Sequence, residues 1–232
     1  MSRESMTATM TGRHPSLAGI GQFTRGQDPV FFEIGWPEFE RDTAWARQLL
    51  DIWKIGNGDH VLVTGRNCEG PWLSPVFEAL RQEGIVYCTA EPYSWDVRRS
   101  VTMLNLLPVK AIIGLSDESA DALLADADAV RMLADVPVIW ARPKAVSALR
   151  RAGVECAAMA MLGPALAVEC PARDGLHFDP EEWRLAESST GLVLTVVGNR
   201  VYHREQIELG VYGAIVETPC GCGLEGARIR LA

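Results

Sequence analysis

Four short apolar segments recur at regular intervals in the middle of the chain, and each is followed by a segment with helical spacing of apolar residues. Strands that are apolar throughout and separated by helices are typical of a parallel sheet covered on both faces. The sequence therefore predicts a doubly wound α/β fold with a mostly parallel sheet. Its ligand crevice is expected at the carboxyl ends of the strands. The predicted strands are residues 60–65, 85–90, 111–116 and 136–141.

The segments around these strands have the periodicity of amphipathic helices. A helix is predicted for Glu38–Lys54, because Trp45, Leu49 and Trp53 fall on one face. Gly84 stands where a glycine commonly ends a helix. The other predicted helices are residues 73–84, 97–107, 119–135 and 143–153.

The pattern changes after residue 163, where short strand-like runs separated by Gly and Asn replace the helices. This change predicts a small C-terminal antiparallel β subdomain over residues 164–232, appended to an α/β core over residues 19–163. Residues 1–18 are polar and have no apolar core of a secretory signal. They are predicted to be a disordered lead-in.

Composition and charge exclude several classes of function. The 232-residue chain has a net charge of -8, from 22 basic and 30 acidic residues, and it has no Lys/Arg-rich run. Nucleic-acid binding is not expected, because such a chain repels a phosphate backbone on average. No apolar stretch reaches the roughly 18 residues that a membrane-spanning helix needs, so no membrane association is expected. Six cysteines without a secretory signal indicate a cytoplasmic protein.

Two short clusters in the C-terminal part contain residue types that bind metals. The segment "CPARDGLH" carries Cys170 and His177, and the segment "PCGCG" carries Cys220 and Cys222. Zinc prefers four thiolate or imidazole ligands, and the glycines let the second pair of thiols face one point. The four residues are therefore candidate ligands of one closed, structural zinc site. Spacing alone leaves open the alternative of free thiols and a surface histidine.

The other cysteines do not suggest a site. A disulfide between Cys220 and Cys222 would be strained, and a reducing cytoplasm disfavours it. Cys68, Cys88 and Cys156 lie in or beside apolar strands. They are predicted to be small buried hydrophobic residues.

Polar residues follow two of the predicted strands, where the crevice is expected. The loop after residues 60–65 offers a cation, an amide, a thiol and a carboxylate, which together can bind a carboxylate or perform acid–base chemistry. The alternative is that both loops are solvated connections without a ligand. The candidate catalytic residues are Arg66, Cys68 and Glu69, and the candidate substrate-binding residues are Asn67, Glu91 and Tyr93, with Asp96 close by in sequence.

The order of short motifs in the C-terminal part resembles one family. The segments "GPALAVEC", "DGLHF", "EEW", "GLVLT" and "CGCG" follow one another. This order resembles the phenylacetate-CoA ligase branch of the adenylate-forming enzymes. The segment "WARQLLDIWKIGNGDHVLVTG" is similar to that branch's entry into its α/β core. The resemblance covers most of residues 20–232, and it implies a structural metal site at Cys170, His177, Cys220 and Cys222.

Features that this family uses for ATP are missing from the sequence. Its Ser/Thr/Gly-rich phosphate loop corresponds to "GIGQFTRGQDPVFF", in which Thr24, Gly26 and Pro29 are the remnants. The run "CAAMAMLGP" lacks the Glu that helps to hold Mg²⁺, and Val211 stands where an Asp would bind the ribose. The chain stops at Ala232, before the family's C-terminal domain and its catalytic Lys. ATP is therefore not expected as a cofactor of this chain alone.

Two functions remain open on the sequence. The first is a degenerate, non-adenylating relative, a pseudoenzyme that binds a partner protein or a small acyl or aryl carboxylate. The second is an acyl/aryl-CoA ligase-related enzyme with a repurposed crevice, or one half of a split ligase. Either shortened architecture would expose surface that the family's other parts cover, which predicts a homo-oligomer or a complex with a partner protein.

Overall fold

The computed structural model describes residues 16–26, 28–204 and 206–232, which form fourteen strands and six helices. The helices are α1 (Trp36–Ile52), α2 (Gly70–Gln82), α3 (Val97–Leu106), α4 (Asp117–Leu124), α5 (Ala127–Ala134) and α6 (Pro143–Arg151). None of the helices in these residues has both the length and the apolar character needed to cross a membrane.

The strands belong to three sheets. Those before α6 are β1 (Leu17–Arg25), β2 (Asp28–Gly35), β3 (His60–Thr64), β4 (Val86–Ala90), β5 (Val109–Leu115) and β6 (Val138–Ala141). Those after α6 are β7 (Ala157–Leu162), β8 (Ala165–Glu169), β9 (Leu176–His177), β10 (Trp183–Ser188), β11 (Gly191–Val196), β12 (Ile207–Glu208), β13 (Gly213–Val216) and β14 (Arg228–Leu231).

One nine-stranded sheet organises the structure, with the order β13-β14-β9-β8-β7-β6-β5-β3-β4. The strands from β4 to β7 are parallel, and those from β7 to β13 are antiparallel. The parallel half has a core on each face because alternate side chains point to opposite sides. Val61 and Val63 pack with α1 and α2, whereas Leu62 packs with the layer of α4 to α6.

The predicted α/β fold class is confirmed, as are the four predicted strands, with their ends shifted by a few residues. The predicted helix over residues 119–135 is wrong as a single helix. Asp126 begins a new helix there by accepting a hydrogen bond from the Asp128 amide at 2.8 Å, so α4 and α5 are separate.

The segment after residue 163 is divided between two sheets. Strands β8, β9, β13 and β14 extend the main sheet across the boundary predicted at residues 163 and 164, whereas β10, β11 and β12 form a small antiparallel sheet. Most of the predicted lead-in, residues 1–18, lies outside the described residues, and β1 begins at Leu17.

A buried ion cluster joins α1 to the small sheet. Both terminal nitrogens of Arg200 donate to Asp42, at 2.8 and 2.7 Å, and one also donates to Glu182 at 2.8 Å. Arg41 donates to the other oxygen of Glu182 at 2.5 Å. The Arg200 side chain is 2% exposed, and its guanidinium lies 4.6 Å from the centre of the Trp183 ring. Burial of one partner without the other would be costly, so the cluster fixes the small sheet against α1.

Gly114 allows two strand ends to meet at the crevice edge of the sheet. Its φ is +88°, and an added Cβ would overlap the carbonyl oxygen of Thr64 and lie 3.6 Å from Arg142 Nη2. A side chain therefore meets both an unfavourable backbone conformation and a filled space at this position.

We expect Gly114→Ala to lower the free energy of unfolding by about 2 kcal/mol or more, because backbone strain and overpacking add at this position. Urea unfolding followed by circular dichroism measures the change. Gly56→Ala is the matched control, because a Cβ there meets nothing within 4 Å and no positive φ is involved. An equal effect of the two substitutions would contradict this account of Gly114.

Candidate functional site

Two loops and one strand end of the antiparallel half bring four potential metal ligands together. Cys170 follows β8, His177 ends β9, and Cys220 and Cys222 lie in the loop between β13 and β14. Their ligand atoms all lie within 4.8 Å of one another. The four residues predicted from the sequence therefore form one Cys₃His cluster that can hold a metal ion.

Two distances within the cluster fit tetrahedral coordination. The Sγ atoms of Cys170 and Cys220 are 3.5 Å apart, and Cys222 Sγ lies 3.5 Å from His177 Nε2. A tetrahedron with metal–sulfur bonds of about 2.3 Å has edges of roughly 3.5 to 3.8 Å. The cluster thus needs little rearrangement to accept an ion.

Burial shifts the pKa values of two of the four residues. Desolvation lowers the pKa of His177 to about 4, so its imidazole is neutral at pH 7, which is the form that binds a metal. Burial raises the pKa of Cys170 to about 12. This thiol needs a nearby cation to become a thiolate, and a bound metal ion would provide it. His177 Nδ1 is buried and has no hydrogen-bond partner among the described residues, which leaves Nε2 as the atom aimed at the cluster.

Buried contacts fix the loops that carry the ligands. Arg228, 1% exposed, donates to the backbone oxygens of Asp174 and Thr218, each at 2.8 Å, and so joins the loop of His177 to the loop of Cys220. Next to Cys170, the Glu169 backbone oxygen accepts a hydrogen bond from the Trp53 indole at 2.9 Å. The cluster is therefore preorganised by the sheet and by α1.

A second candidate site lies at the carboxyl ends of β3 and β4. This cavity, of about 440 Å³ and here called the edge crevice, is formed by the ends of those strands, by α2 and by residues near the start of α3. Its apolar lining includes Val63, Leu73 and Phe77. Its polar lining includes Arg66, Asn67, Glu91 and Arg99, and Trp95, which is 68% exposed, stands at its rim.

The structure separates the residues that the sequence grouped in this region. Arg66, Asn67 and Glu91 line the edge crevice, and the Arg66 guanidinium lies 5.3 Å from the centre of the Tyr93 ring. Glu69 turns away to accept hydrogen bonds from Arg142 at 3.0 Å and from the Arg66 amide at 2.9 Å.

The Asp96 carboxylate is engaged within its own loop, where it accepts a hydrogen bond from the Glu91 amide at 2.8 Å.

The burial predicted for Cys68 is wrong. Cys68 is exposed because it lies in the short 3-10 turn Asn67–Glu69, outside the strand. Cys88 is half-buried, and the burial predicted for Cys156 is confirmed.

Arg142 is a functional candidate that the sequence analysis missed. It follows β6 directly, so its position at a strand's carboxyl end was the available signal. Burial lowers its pKa, and the Glu69 carboxylate partly offsets this effect. Arg142 and Glu69 thus form a partly buried ion pair outside the lining of the edge crevice, and this pair positions the loop that carries Arg66.

No family model matches the chain, and no curated protein matches its sequence. Solved structures do match. An open conformation of 2-hydroxyisobutyryl-CoA ligase in complex with 2-HIB-AMP and CoA superposes with a TM-score of 0.69 and 14% identity, over 92% of this chain and 52% of that chain. O-succinylbenzoate coenzyme A synthetase (MenE) from Bacillus subtilis, in complex with AMP, gives a TM-score of 0.59 and 9% identity, over 94% and 62%. The anthranilate CoA ligase AuaEII in complex with anthranoyl-AMP gives 0.57 and 9%, over 80% and 40%.

The chain shares the fold of acyl- and aryl-CoA ligases. At 9 to 14% identity, this likeness concerns the fold alone. The chain spans about half of the length of 2-hydroxyisobutyryl-CoA ligase. The predicted resemblance to adenylate-forming ligases is thus supported at the level of fold.

We expect the purified protein to contain one metal ion per chain and Cys220→Ser to lose it, because the variant replaces a thiolate ligand. The free energy of unfolding of the wild type should then exceed that of the variant by about 4 kcal/mol when free metal is 1,000 times its Kd. Elemental mass spectrometry and urea unfolding give the two quantities.

Cys68→Ser is the matched control for this metal test, because its exposed thiol lies outside the cluster. It should keep both the ion and the stability of the wild type. A wild-type protein that binds no metal ion even when metal is added would contradict the assignment of the cluster.

Proposed function

We propose that the chain is a relative of the adenylate-forming ligases, of the phenylacetate-CoA ligase-like branch, that binds a small aryl or acyl carboxylate and does not adenylate it alone. The edge crevice carries the proposal, because it combines an apolar lining with two arginines, Arg66 and Arg99. The aromatic ring or branched chain of such a ligand would contact Val63, Leu73 and Phe77, and an arginine guanidinium would pair with its carboxylate.

The aromatic residues near the rim favour an aryl carboxylate. The rings of Tyr93 and Trp95 stack with their centres 5.8 Å apart and an interplanar angle of 18°. The Arg66 guanidinium lies over the Tyr93 ring and lines the edge crevice. A cation and an aromatic surface therefore lie together at the entrance of the edge crevice. A planar ring gains from offset stacking on such a surface while its carboxylate pairs with the arginine.

The hairpin of β1 and β2 supports the loss of ATP chemistry. The two strands remain paired up to Arg25 and Asp28, so only two positions of the chain separate them. A phosphate-binding loop needs several successive backbone N–H groups that point at one anion. A connection of two residues is too short to surround a triphosphate.

The turn between β7 and β8 supports the same conclusion. Leu162 pairs with Ala165, so only Gly163 and Pro164 lie in the turn, and the run from Cys156 to Pro164 has no carboxylate. Mg²⁺ needs oxygen ligands, of which carboxylates are the usual protein source. This segment therefore offers no side-chain ligand for the metal of ATP.

We further propose that the Cys₃His cluster holds zinc in a structural role. Three thiolates and one imidazole suit zinc, and four protein ligands leave no open position for catalysis. Zinc would keep the loop between β13 and β14 attached to β8 and β9.

A second candidate function is one half of a split ligase that another chain completes. Exposed apolar residues such as Phe31, 62% exposed, and Ile20, 48% exposed, support a partner protein or a second copy at the hairpin. None of the six cysteines, all of them described, forms a disulfide, in keeping with the predicted cytoplasmic location.

We expect isothermal titration to detect saturable binding of benzoate or phenylacetate without ATP. Arg66→Gln should weaken it about tenfold, because a charge-assisted hydrogen bond is lost. Arg98→Gln is the control, since Arg98 is an exposed arginine in α3 that does not line the edge crevice. Failure of the wild type to bind any carboxylate of an aryl and acyl panel would contradict the proposal, as would an equal loss in both variants.

A further inference from the structure

The edge crevice holds one charge of each sign that has no partner among the described residues. Arg66 and Glu91 both line it. The Arg66 guanidinium makes no hydrogen bond or ion pair with a described residue, and it contacts the face of the Tyr93 ring, with 5.3 Å to the ring centre. The Glu91 carboxylate is also unpaired there, because only the Glu91 amide is bonded, to Asp96. A ligand in this crevice therefore meets an unpaired cation and an unpaired carboxylate.

The charged groups next to these two residues are already engaged. Of the two arginines that line the edge crevice, Arg99 donates to Asp96 at 3.1 Å. The Glu118 carboxylate accepts hydrogen bonds from the Ser94 amide at 2.9 Å and from the Ser94 hydroxyl at 2.7 Å. These bonds lower the pKa of Glu118, and Arg66 adds a smaller effect. Arg66 thus influences Glu118 without forming an ion pair with it, so its guanidinium stays available to a ligand.

Two neighbouring strand ends position the unpaired charges. Strands β3 and β4 are paired in parallel up to Thr64 and Ala90. Arg66 lies two residues after the first of these ends, and Glu91 directly follows the second. The Glu91 amide donates to Asp96, whose side chain is 9% exposed, so the backbone that carries this carboxylate is held in place. The two charges therefore lie on adjacent, ordered segments at one edge of the sheet.

A ligand that fills the edge crevice takes both charges out of contact with solvent. A simple aryl carboxylate would pair with Arg66, but it would leave the Glu91 carboxylate against an uncharged ring or near a second negative charge. Both situations are unfavourable for a carboxylate. A ligand that also carries an ammonium group would pair with both residues. The edge crevice is therefore complementary to a zwitterion and less so to a simple anion.

From these observations we propose that the ligand of the edge crevice is a zwitterion, an aryl carboxylate that carries an ammonium group, an inference that rests on the carboxylate binding proposed above. Arg66 binds the carboxylate, and Glu91 binds the ammonium group. The ring of the ligand lies against Val63, Leu73 and Phe77. Glu91 is then the residue that determines specificity, because it favours the ammonium-bearing acid over the acid that lacks this group.

Matched pairs of ligands test the proposal in isothermal titrations of the full chain at pH 7. Meta- and para-(aminomethyl)benzoate carry an ammonium group, because an aliphatic amine is protonated at this pH. Meta- and para-methylbenzoate carry a methyl group in its place. The two isomers cover two separations of the charged groups. We expect at least one aminomethyl isomer to bind about tenfold more tightly than its methyl counterpart, because it gains a charge-assisted hydrogen bond.

Glu91→Gln should act differently on the two members of a pair. It should weaken binding of the preferred aminomethylbenzoate about tenfold and should not weaken binding of the methylbenzoate, so the preference disappears. Glu208→Gln is the matched control, because Glu208 is an exposed carboxylate in β12 that does not line the edge crevice. It should leave both affinities unchanged. Para-methylbenzylamine, which has the ammonium group without the carboxylate, should bind more weakly than the preferred aminomethylbenzoate.

Arg66→Gln separates this inference from the carboxylate binding on which it rests, because it should weaken binding of the methylbenzoates and of the aminomethylbenzoates alike. Suppose that the methylbenzoates bind and lose affinity with Arg66→Gln, while neither aminomethyl isomer binds more tightly than its counterpart. The zwitterion proposal would then be overturned and the carboxylate binding would stand. A preference for the aminomethyl group that survives Glu91→Gln, or that falls equally with Glu208→Gln, would also overturn the zwitterion proposal. Binding of none of these acids would overturn both.

Discussion

The two-sided pairing of β7 is the interaction on which the rest of the structure depends. Its backbone pairs in parallel with β6, where Trp140 lies opposite Ala157, and antiparallel with β8, where Met159 lies opposite Val168. One hydrogen-bonded sheet therefore carries both halves of the molecule. The parallel half ends in the loops of the edge crevice, and the antiparallel half ends in the loops of the Cys₃His cluster.

Contacts between distant segments hold the antiparallel half in place. The Trp53 indole, just after α1, donates to the Glu169 backbone oxygen next to Cys170 of the cluster. The buried Arg200 joins Asp42 of α1 to Glu182 at the small sheet. Because breaking one partner of a buried ion pair is costly, these contacts make the antiparallel half depend on α1. A metal ion would add a further cross-link between β8, β9 and the loop before β14.

The sequence allowed prediction of features that depend on local patterns. Apolar runs located the strands of the parallel half, and residue types located the four residues of the Cys₃His cluster, because buried strands and groups of Cys and His leave compositional signals. Pairings across long distances left no such signal. The bond between Glu69 and Arg142 joins residues 73 positions apart, and the pattern could not reveal that Glu69 faces this arginine and not the edge crevice. The same limit applies to β8, because the pattern of apolar and polar side chains along a strand does not indicate which strand it pairs with.

The central claim is that this fold binds a carboxylate without activating it, and native mass spectrometry after incubation with ATP, Mg²⁺ and benzoate or phenylacetate tests it most directly. The account predicts a metal-loaded chain that carries the unmodified carboxylate and neither ATP nor an adenylate. The mass of an aryl-adenylate on the chain, accompanied by release of pyrophosphate, would contradict it. That result would mean that the short hairpin of β1 and β2 still permits ATP chemistry.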